Sequence, residues 1–177
     1  SLLVVGPPNA SMESSTSLTE AHFRKKKGYG NFKNANGNRL EVVYAAANNG
    51  ILHAFSTRDQ GGYQKGEEIW GFVPPLIIPK MPRIINSGLN TGSGGGGTNP
   101  RFLLDGSPVA HDTYFQHPVH NKLDWYTLLM IPYGRAGAGF SLIDVTKLDQ
   151  PLHLYSILND TVSEKVHRVD HNGKVYS

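Results

Sequence analysis

Histidine and acidic side chains are the residues of this 177-residue chain whose spacing could support catalysis or metal binding. His117 and His120 have H-x-x-H spacing, and His111 lies shortly before them. Two imidazoles could begin a zinc site, but Pro118 between them and the absence of recognisable third and fourth ligands argue against one. We therefore predict exposed loop histidines at this point and no bound metal.

Two other groups suggest chemistry less strongly. Asp105 and Asp112 could form a carboxylate pair, but the sequence from Asp105 to Pro108 (DGSP) has the composition of a turn that opens a strand, and we favour the turn. His53 lies inside an apolar segment, where a hydrogen-bonded core histidine is the default expectation.

The sequence lacks the motifs of common enzymes and metal sites. It contains no cysteine, G-x-S-x-G elbow, phosphate-binding loop or H-E-x-x-H motif. Asp170-His171-Asn172-Gly173 resembles a calcium loop, but its glycine stands at position 4 instead of position 6. We predict no enzyme activity, catalytic residue, cofactor site or metal ligand in this segment.

Predicted strands in the first half of the chain would position some of these histidine and acidic side chains. Leu40–Ala46 is an apolar run with the composition of a buried strand, and the turn residues Asn48–Gly50 follow it. Ile51–Ser56 would be the return strand and Glu68–Val73 a third strand. Pro74-Pro75 would end the third strand because proline cannot donate to a sheet ladder.

The same order of elements returns in the second half. Leu123–Ile131 would be a buried strand, followed by a glycine-rich turn, a return strand at Phe140–Val145 and a third strand at Leu152–Leu158. A further strand precedes each unit, at Leu2–Val5 and at Pro108–Phe115. Tandem four-stranded antiparallel units predict an all-β protein, either as blades of a β-propeller or as a two-sheet sandwich.

The repeat also gives provisional boundaries. The predicted units are a blade over 1–75 with an insertion at 6–39, a linker or insertion over 76–100, a blade over 101–158, and the start of a next blade at 159–177. Two blades are too few for a closed propeller, so the chain is expected to be a fragment of a longer protein.

Charge and composition narrow the possible partners. The net charge of +3 is small. The basic run at 24–27 lies in a polar insertion, and we predict a solvated loop there and not a nucleic-acid site. No apolar run approaches the roughly 20 residues that span a bilayer.

The sequence predicts little helix. Pro75–Ile85 could form a short 3₁₀ segment. Thr161–Val169 could form a helix, but we favour a strand there. Ser93–Gly97 has the composition of a flexible loop tip.

Four segments in one order carry a family resemblance. Tyr44–Phe55 resembles the "YVGANDGMLHAF" segment of the PilY/PilC family, and Glu67–Pro75 resembles its "GEELWAFVPP". Leu104–Pro108 resembles the family's "VDGSP", and Trp125–Thr146 resembles its W-x-T-x-L-V … L-D-V-T unit. These proteins are large type IV pilus biogenesis factors and tip-associated adhesins.

The resemblance implies a seven-bladed, quinoprotein-like propeller that forms the C-terminal domain of a larger secreted protein of a Gram-negative cell surface. It implies roles in pilus assembly, retraction control, adhesion, twitching motility and virulence. The expected partners are minor pilins, the pilus tip complex and a host-surface ligand. The family has a calcium-binding loop, but no segment here matches it, so calcium is expected only elsewhere in the full-length protein.

Under this resemblance the matching residues are structural, at turns and in packing between blades, while the loops bind partners. The structural positions are Asn49, Gly50, His53, Trp70, Phe72, Pro74, Pro75, Asp105, Gly106, Trp125, Gly137, Gly139, Asp144 and Thr146. Two alternatives remain: a quinone-dependent dehydrogenase with the same propeller, and a scaffold for outer-membrane assembly with no adhesive role.

Overall fold

The structure, a computed structural model, describes residues 1–82 and 103–177. In this part of the chain the strands form two antiparallel sheets. The first sheet contains β1 (Leu2–Val5), β2 (Val42–Ala46), β3 (Leu52–Ser56) and β4 (Glu68–Phe72). The second contains β5 (Val109–His117), β6 (Lys122–Pro132), β7 (Ala138–Asp144), β8 (Leu152–Asp160), β9 (Lys165–Asp170) and β10 (Val175–Tyr176).

The first sheet has the spatial order β1-β2-β3-β4, as expected for a meander with one preceding strand. The turn between β2 and β3 depends on Asn49, whose Oδ1 accepts a hydrogen bond of 3.0 Å from the Ile51 amide. Gly50 has a φ of +90°, and a Cβ there would lie 3.0 Å from Leu103. Glycine is therefore required for both backbone conformation and space.

The second sheet has the order β5 to β10 and is larger than predicted. Residues 159–177 were expected to open a new blade, but β9 pairs with β8, and β10 with β9, in the same sheet. The cause is the turn after β8, where the Val162 amide donates to Asp160 Oδ1 and Glu164 takes a φ of +57°. This turn sends the chain back antiparallel to β8, and the preferred strand within Thr161–Val169 is present as β9.

The hydrophobic core lies between the two sheets. Both sheets contribute fully buried side chains to it, and the segments that connect the sheets add Ile77 and Leu104. The principal contributors from the strands are Val42, Tyr44, Leu52, Leu129, Ile131 and Ile143. Alternate residues of β2, β3 and β6 therefore face the other sheet, which is the pattern of two β-layers packed face to face.

The insertion at 6–39 is folded, which corrects the expectation of a loop with weak helix signal. It contains α1 (Glu20–Lys26) and α2 (Tyr29–Ala35). The Thr19 side chain caps α1 by accepting a hydrogen bond of 3.2 Å from the His22 amide. Glu20 in the first turn and the basic residues in the last turn suit the helix dipole. The basic run at 24–27 therefore ends a helix.

The 3₁₀ piece expected in Pro75–Ile85 is present at Ile78–Lys80, and a second 3₁₀ turn occupies Gly134–Ala136. The predicted flexible tip at Ser93–Gly97 lies outside the described residues. Within the described ranges, no helix has the length and apolar character needed to cross a membrane.

Candidate functional site

A chain of polar contacts joins the helical insertion to the second sheet. The Tyr29 hydroxyl of α2 donates a hydrogen bond to one carboxylate oxygen of Asp112 on β5. The Thr127 hydroxyl of β6 donates to the other oxygen at 2.6 Å. The same hydroxyl accepts a bond of 2.7 Å from Arg39, which follows the helices. The residue that begins α2 and the arginine that follows α2 are thus both tied to neighbouring strands.

The contacts continue along the sheet. The Thr127 amide donates to the Thr146 hydroxyl at 3.0 Å, and the Thr146 amide and hydroxyl donate to Asp144 Oδ1 at 2.7 and 2.5 Å. Asp144 Oδ2 lies 3.2 Å from Nε2 of the buried His117. We call this set the anchor network, and its members are Tyr29, Arg39, Asp112, His117, Thr127, Asp144 and Thr146.

Burial sets the protonation states within the anchor network. Burial, reinforced by the carboxylate of Asp112, raises the pKa of Tyr29, so its hydroxyl keeps the proton that it donates. Burial lowers the pKa of Arg39, and the nearby Asp112 is the strongest influence in the opposite direction. An arginine remains charged despite such a shift because its reference pKa is far above neutral pH.

An aromatic cluster lies beside the anchor network. Trp125 of β6 is only 4% exposed, and its ring meets the Tyr29 ring edge-on at a centroid distance of 4.9 Å. Its indole N–H donates to the Lys27 carbonyl at 3.0 Å, between the two helices. Phe32 and Tyr114 complete the packing. The predicted structural residue Trp125 therefore holds the insertion against the second sheet.

The expected pair of exposed loop histidines is corrected by the structure. His120 is exposed, but His117 is completely buried at the end of β5. The possible ligand atoms of His117, His120 and Asp144 lie within 4.8 Å of one another, which is a spacing that a metal site could use. This grouping was not predicted because Asp144 is distant in sequence.

The chemistry of the three groups does not suit a metal ion. Nδ1 of His117 accepts hydrogen bonds of 3.1 Å from the Val119 and His120 amides. In the neutral ring Nε2 then carries the proton, which leaves no free nitrogen lone pair for a metal. That proton faces Asp144 at 3.2 Å without good hydrogen-bond alignment. The His117 and His120 rings are also stacked, with centroids 4.3 Å apart. The arrangement fits a structural tie between β5 and β7.

The remaining histidine and aspartate candidates have structural contacts. His53 is half-buried rather than in the core, and its Nδ1 lies 2.7 Å from Glu68 Oε1. Asp105 lies in the irregular segment before β5 and accepts a bond of 2.7 Å from the Arg135 amide. A Cβ on the adjacent Gly106 would lie 2.2 Å from the Pro132 carbonyl oxygen, so the two segments approach too closely for any side chain.

The residues around β4 link the two sheets. The Trp70 indole donates to the Leu148 carbonyl at 2.7 Å, and Phe72 stacks on His153 at a centroid distance of 5.9 Å. The buried Pro74 supplies its carbonyl to the Ile77 amide at 2.9 Å, which starts the 3₁₀ segment, and Pro75 follows in a half-buried position.

Of the two predicted glycines after β6, Gly137 follows the 3₁₀ turn and Gly139 lies at the start of β7. A Cβ at Gly139 would lie 2.2 Å from the Ile157 carbonyl oxygen, and one at Gly137 would lie 2.8 Å from Leu158. In the calcium-like segment, Asp170 accepts bonds from the Asn172 and Lys174 amides, so its carboxylate closes the β9–β10 hairpin.

Comparisons with known proteins identify the class of fold. The model of the PilY1 beta-propeller domain family matches residues 7–176. A solved structure of the Pseudomonas aeruginosa PilY1 C-terminal domain aligns with a TM-score of 0.55 and 25% identity, covering 89% of this chain and 25% of that one. The two sheets are therefore parts of a β-propeller and not the layers of a sandwich.

Two curated relatives agree with this result. A type IV pilus biogenesis factor PilY1 homolog of Xylella fastidiosa is 33% identical over 144 residues, which is 81% of this chain and 10% of the relative. PilY1 of Pseudomonas aeruginosa strain UCBPP-PA14 is 29% identical over 136 residues, with 77% and 10% covered. The chain belongs to the PilY1 β-propeller family, as the sequence motifs predicted, and it spans about a tenth of these relatives.

Proposed function

We propose that this chain is a non-catalytic part of a type IV pilus biogenesis factor, in which the propeller holds the helical insertion rigidly for contact with other pilus components. Minor pilins of the pilus tip are the proposed partners, and the proposed location is the bacterial surface. The names of the relatives support the pilus connection. The anchor network supports the role of the insertion, because it fixes an otherwise marginal helical pair.

The exposed face of the insertion suggests the kind of contact. Lys25 and Lys26 are exposed at the end of α1, and neither forms an ion pair with a described residue. Helices of seven residues are unstable alone, so their order here must come from docking on the sheet. A surface that is ordered before binding loses less conformational entropy in a complex. An acidic face of a pilin is the matching partner.

A binding experiment with the full-length protein tests this proposal. Minor pilins are immobilised, and their affinity is measured for wild-type protein, for the double variant Lys25→Glu/Lys26→Glu and for the control Lys65→Glu on an exposed loop of the first sheet. We expect the double variant to bind at least about tenfold more weakly, which corresponds to about 1.4 kcal/mol, and the control to bind normally. Failure of the wild-type protein to bind would reject the platform role.

The alternatives give different results in related assays. A quinone-dependent dehydrogenase would reduce a dye when quinone cofactor and an alcohol are supplied, whereas the proposed platform would not. A host adhesin would bind host cells with the same dependence on Lys25 and Lys26. A pure assembly scaffold would bind neither pili nor host cells.

A further inference from the structure

Three asparagines of this chain stand directly before a glycine: Asn36, Asn49 and Asn172. Asparagine is chemically labile, because the amide nitrogen of the next residue can attack its side-chain carbonyl carbon, Cγ. A following glycine has no Cβ to obstruct this approach, so an Asn-Gly pair is a reactive arrangement. How firmly each side chain is held then decides which of the three asparagines reacts first.

Hydrogen bonds hold the first two side chains. Nδ2 of Asn36 donates to the Phe32 carbonyl at 2.9 Å. Oδ1 of Asn49 accepts a bond of 3.0 Å from the Ile51 amide, and the adjacent Gly50 is buried. Attack on Cγ needs a side chain that is free to rotate, so each of these bonds must break first. Both asparagines are therefore protected.

Asn172 has no such restraint. It is exposed together with Gly173 in the turn between β9 and β10, and its side chain has no hydrogen-bond partner among the described residues. Beyond its chain neighbours, a Cβ built on Gly173 would meet no atom within 4 Å. The Gly173 amide donates to the Asp170 carbonyl at 3.0 Å, but the other two glycine amides form bonds of 3.0 and 3.3 Å of the same kind. The free side chain is thus what distinguishes Asn172.

The strand that follows this turn is very short. β10 has two residues, Val175 and Tyr176, which are 59% and 40% exposed, and it stands at one end of the second sheet. Short segments with exposed hydrogen bonds open locally at a low cost in free energy. Opening of the hairpin releases the Gly173 nitrogen, which is the nucleophile of the reaction, from the Asp170 carbonyl.

We propose that Asn172 is a site of spontaneous deamidation, and that its isoaspartate product releases β10 from β9. The Gly173 nitrogen loses its proton to a solvent base and bonds to Cγ of Asn172, while the side-chain nitrogen takes up a proton and leaves as ammonia. Water then opens the cyclic succinimide. Addition of water to the side-chain carbonyl gives aspartate, and addition to the main-chain carbonyl gives isoaspartate. This proposal is independent of the pilus role.

The contacts of Asp170 explain why isoaspartate would open the hairpin. Its Oδ1 accepts bonds of 2.9 Å from the Asn172 amide and 3.0 Å from the Lys174 amide, and its Oδ2 accepts a bond of 2.9 Å from the Tyr176 hydroxyl. Isoaspartate adds one carbon to the main chain between the two amides. The amides then no longer match a single carboxylate oxygen, and β10 loses its register with β9.

Ageing of the full-length protein in water labelled with heavy oxygen tests the chemistry. After incubation at mildly alkaline pH, the protein is digested in ordinary water, and each of the three sites is quantified by mass spectrometry. We expect Asn172 to deamidate at least about threefold faster than Asn36 or Asn49, because each of those must first break a side-chain hydrogen bond. The product should contain one heavy oxygen, which separates it from deamidation during handling, and isoaspartyl methyltransferase should label it.

Hydrogen exchange tests the structural consequence in the same samples. Amides 174–176 should exchange faster in aged wild-type protein than in fresh protein. Asn172→Gln is the matched control, because its longer side chain would have to close a larger ring, and its exchange should not change with age. The proposal would be overturned by equal rates at the three asparagines, by the absence of isoaspartate at position 172, or by unchanged exchange of these amides in protein that carries it.

Discussion

The two sheets and the helical insertion are attached to the rest of the molecule by different kinds of contact. The sheets meet through fully buried aliphatic side chains such as Leu52, Leu129 and Ile143. The insertion meets the second sheet through the aromatic ring of Trp125 and through the directional bonds of the anchor network. Apolar packing tolerates changes of similar shape, whereas a buried polar network depends on every donor and acceptor. The insertion should therefore be the part that a single polar substitution can release.

The largest loss of stability should follow substitution of Trp125, whose ring packs against the insertion. Trp125→Ala removes a buried indole and its bond to the Lys27 carbonyl, and we expect a loss of about 3–5 kcal/mol in the free energy of unfolding. Trp70→Ala should cost less, because Trp70 is only partly buried between the sheets. Chemical denaturation measures both variants, and wild-type stability of Trp125→Ala would contradict the docking role of this ring.

Asp112→Asn should have the next largest effect. The asparagine amide keeps the shape of the carboxylate but presents an N–H₂ group to one of the two hydroxyl donors, Tyr29 or Thr127. The stability of the docked insertion should therefore fall by about 1–3 kcal/mol. We expect rapid proteolysis within residues 6–39 while the sheets remain folded. Asp149→Asn, at an exposed site in the loop between β7 and β8, is the control. Equal protease resistance of the two variants would show that the network does not hold the insertion.

Lowering the pH should decrease the free energy of unfolding through protonation of His117. Burial lowers the pKa of His117 below its ordinary value of 6.5, while Asp144 opposes this shift. The unfolded chain then binds more protons, so stability is present above pH 6.5 and decreases as the pH falls through that value towards the folded pKa. For one proton, the free energy of unfolding changes by at most about 1.4 kcal/mol per pH unit.

Thermal melting at a series of pH values measures this effect. His117→Gln should lower stability at neutral pH and flatten its dependence between pH 6.5 and lower values. The exposed His111→Gln should leave that dependence intact. An unchanged slope in His117→Gln would assign the acid sensitivity to another group.

The smallest effect is expected at the cap of α1. Thr19→Ala removes the acceptor for the His22 amide and should cost about 0.5–1 kcal/mol, confined to the insertion. Hydrogen exchange of amides 20–26 should become faster, while exchange in the second sheet stays the same. Thr19→Ser, which keeps the hydroxyl, is the matched control and should exchange like wild type.

The strands were predictable because their signals are local. Runs such as Leu40–Ala46 and the Asn49-Gly50 turn contain the periodicity and turn chemistry in adjacent residues. The pairing of β9 with β8 was not predicted, because nothing in the sequence states which neighbour a strand will join. The hairpin at Asp160–Glu164 decides it through side-chain bonds and one residue with positive φ.

The insertion and its anchor network were missed for related reasons. Thr19 followed by Glu20 was a cap signal, but seven-residue helices have too few turns to show clear amphipathic periodicity. Asp112 was considered only as a partner of Asp105, whereas its real partner, Tyr29, lies 83 residues away in sequence. His117 was predicted to be exposed on a loop, and the buried carboxylate of Asp144 that it faces comes from another strand.

Amide hydrogen exchange of the insertion in the wild-type full-length protein tests the central claim most directly. If α1 and α2 are docked by the anchor network, amides of Tyr29–Ala35 should exchange more slowly by orders of magnitude than those of an unstructured peptide with the same sequence. Asp112→Asn should remove most of this protection without affecting β6. Exchange of these wild-type amides at the unstructured rate would contradict the claim that the propeller holds the insertion as a rigid platform.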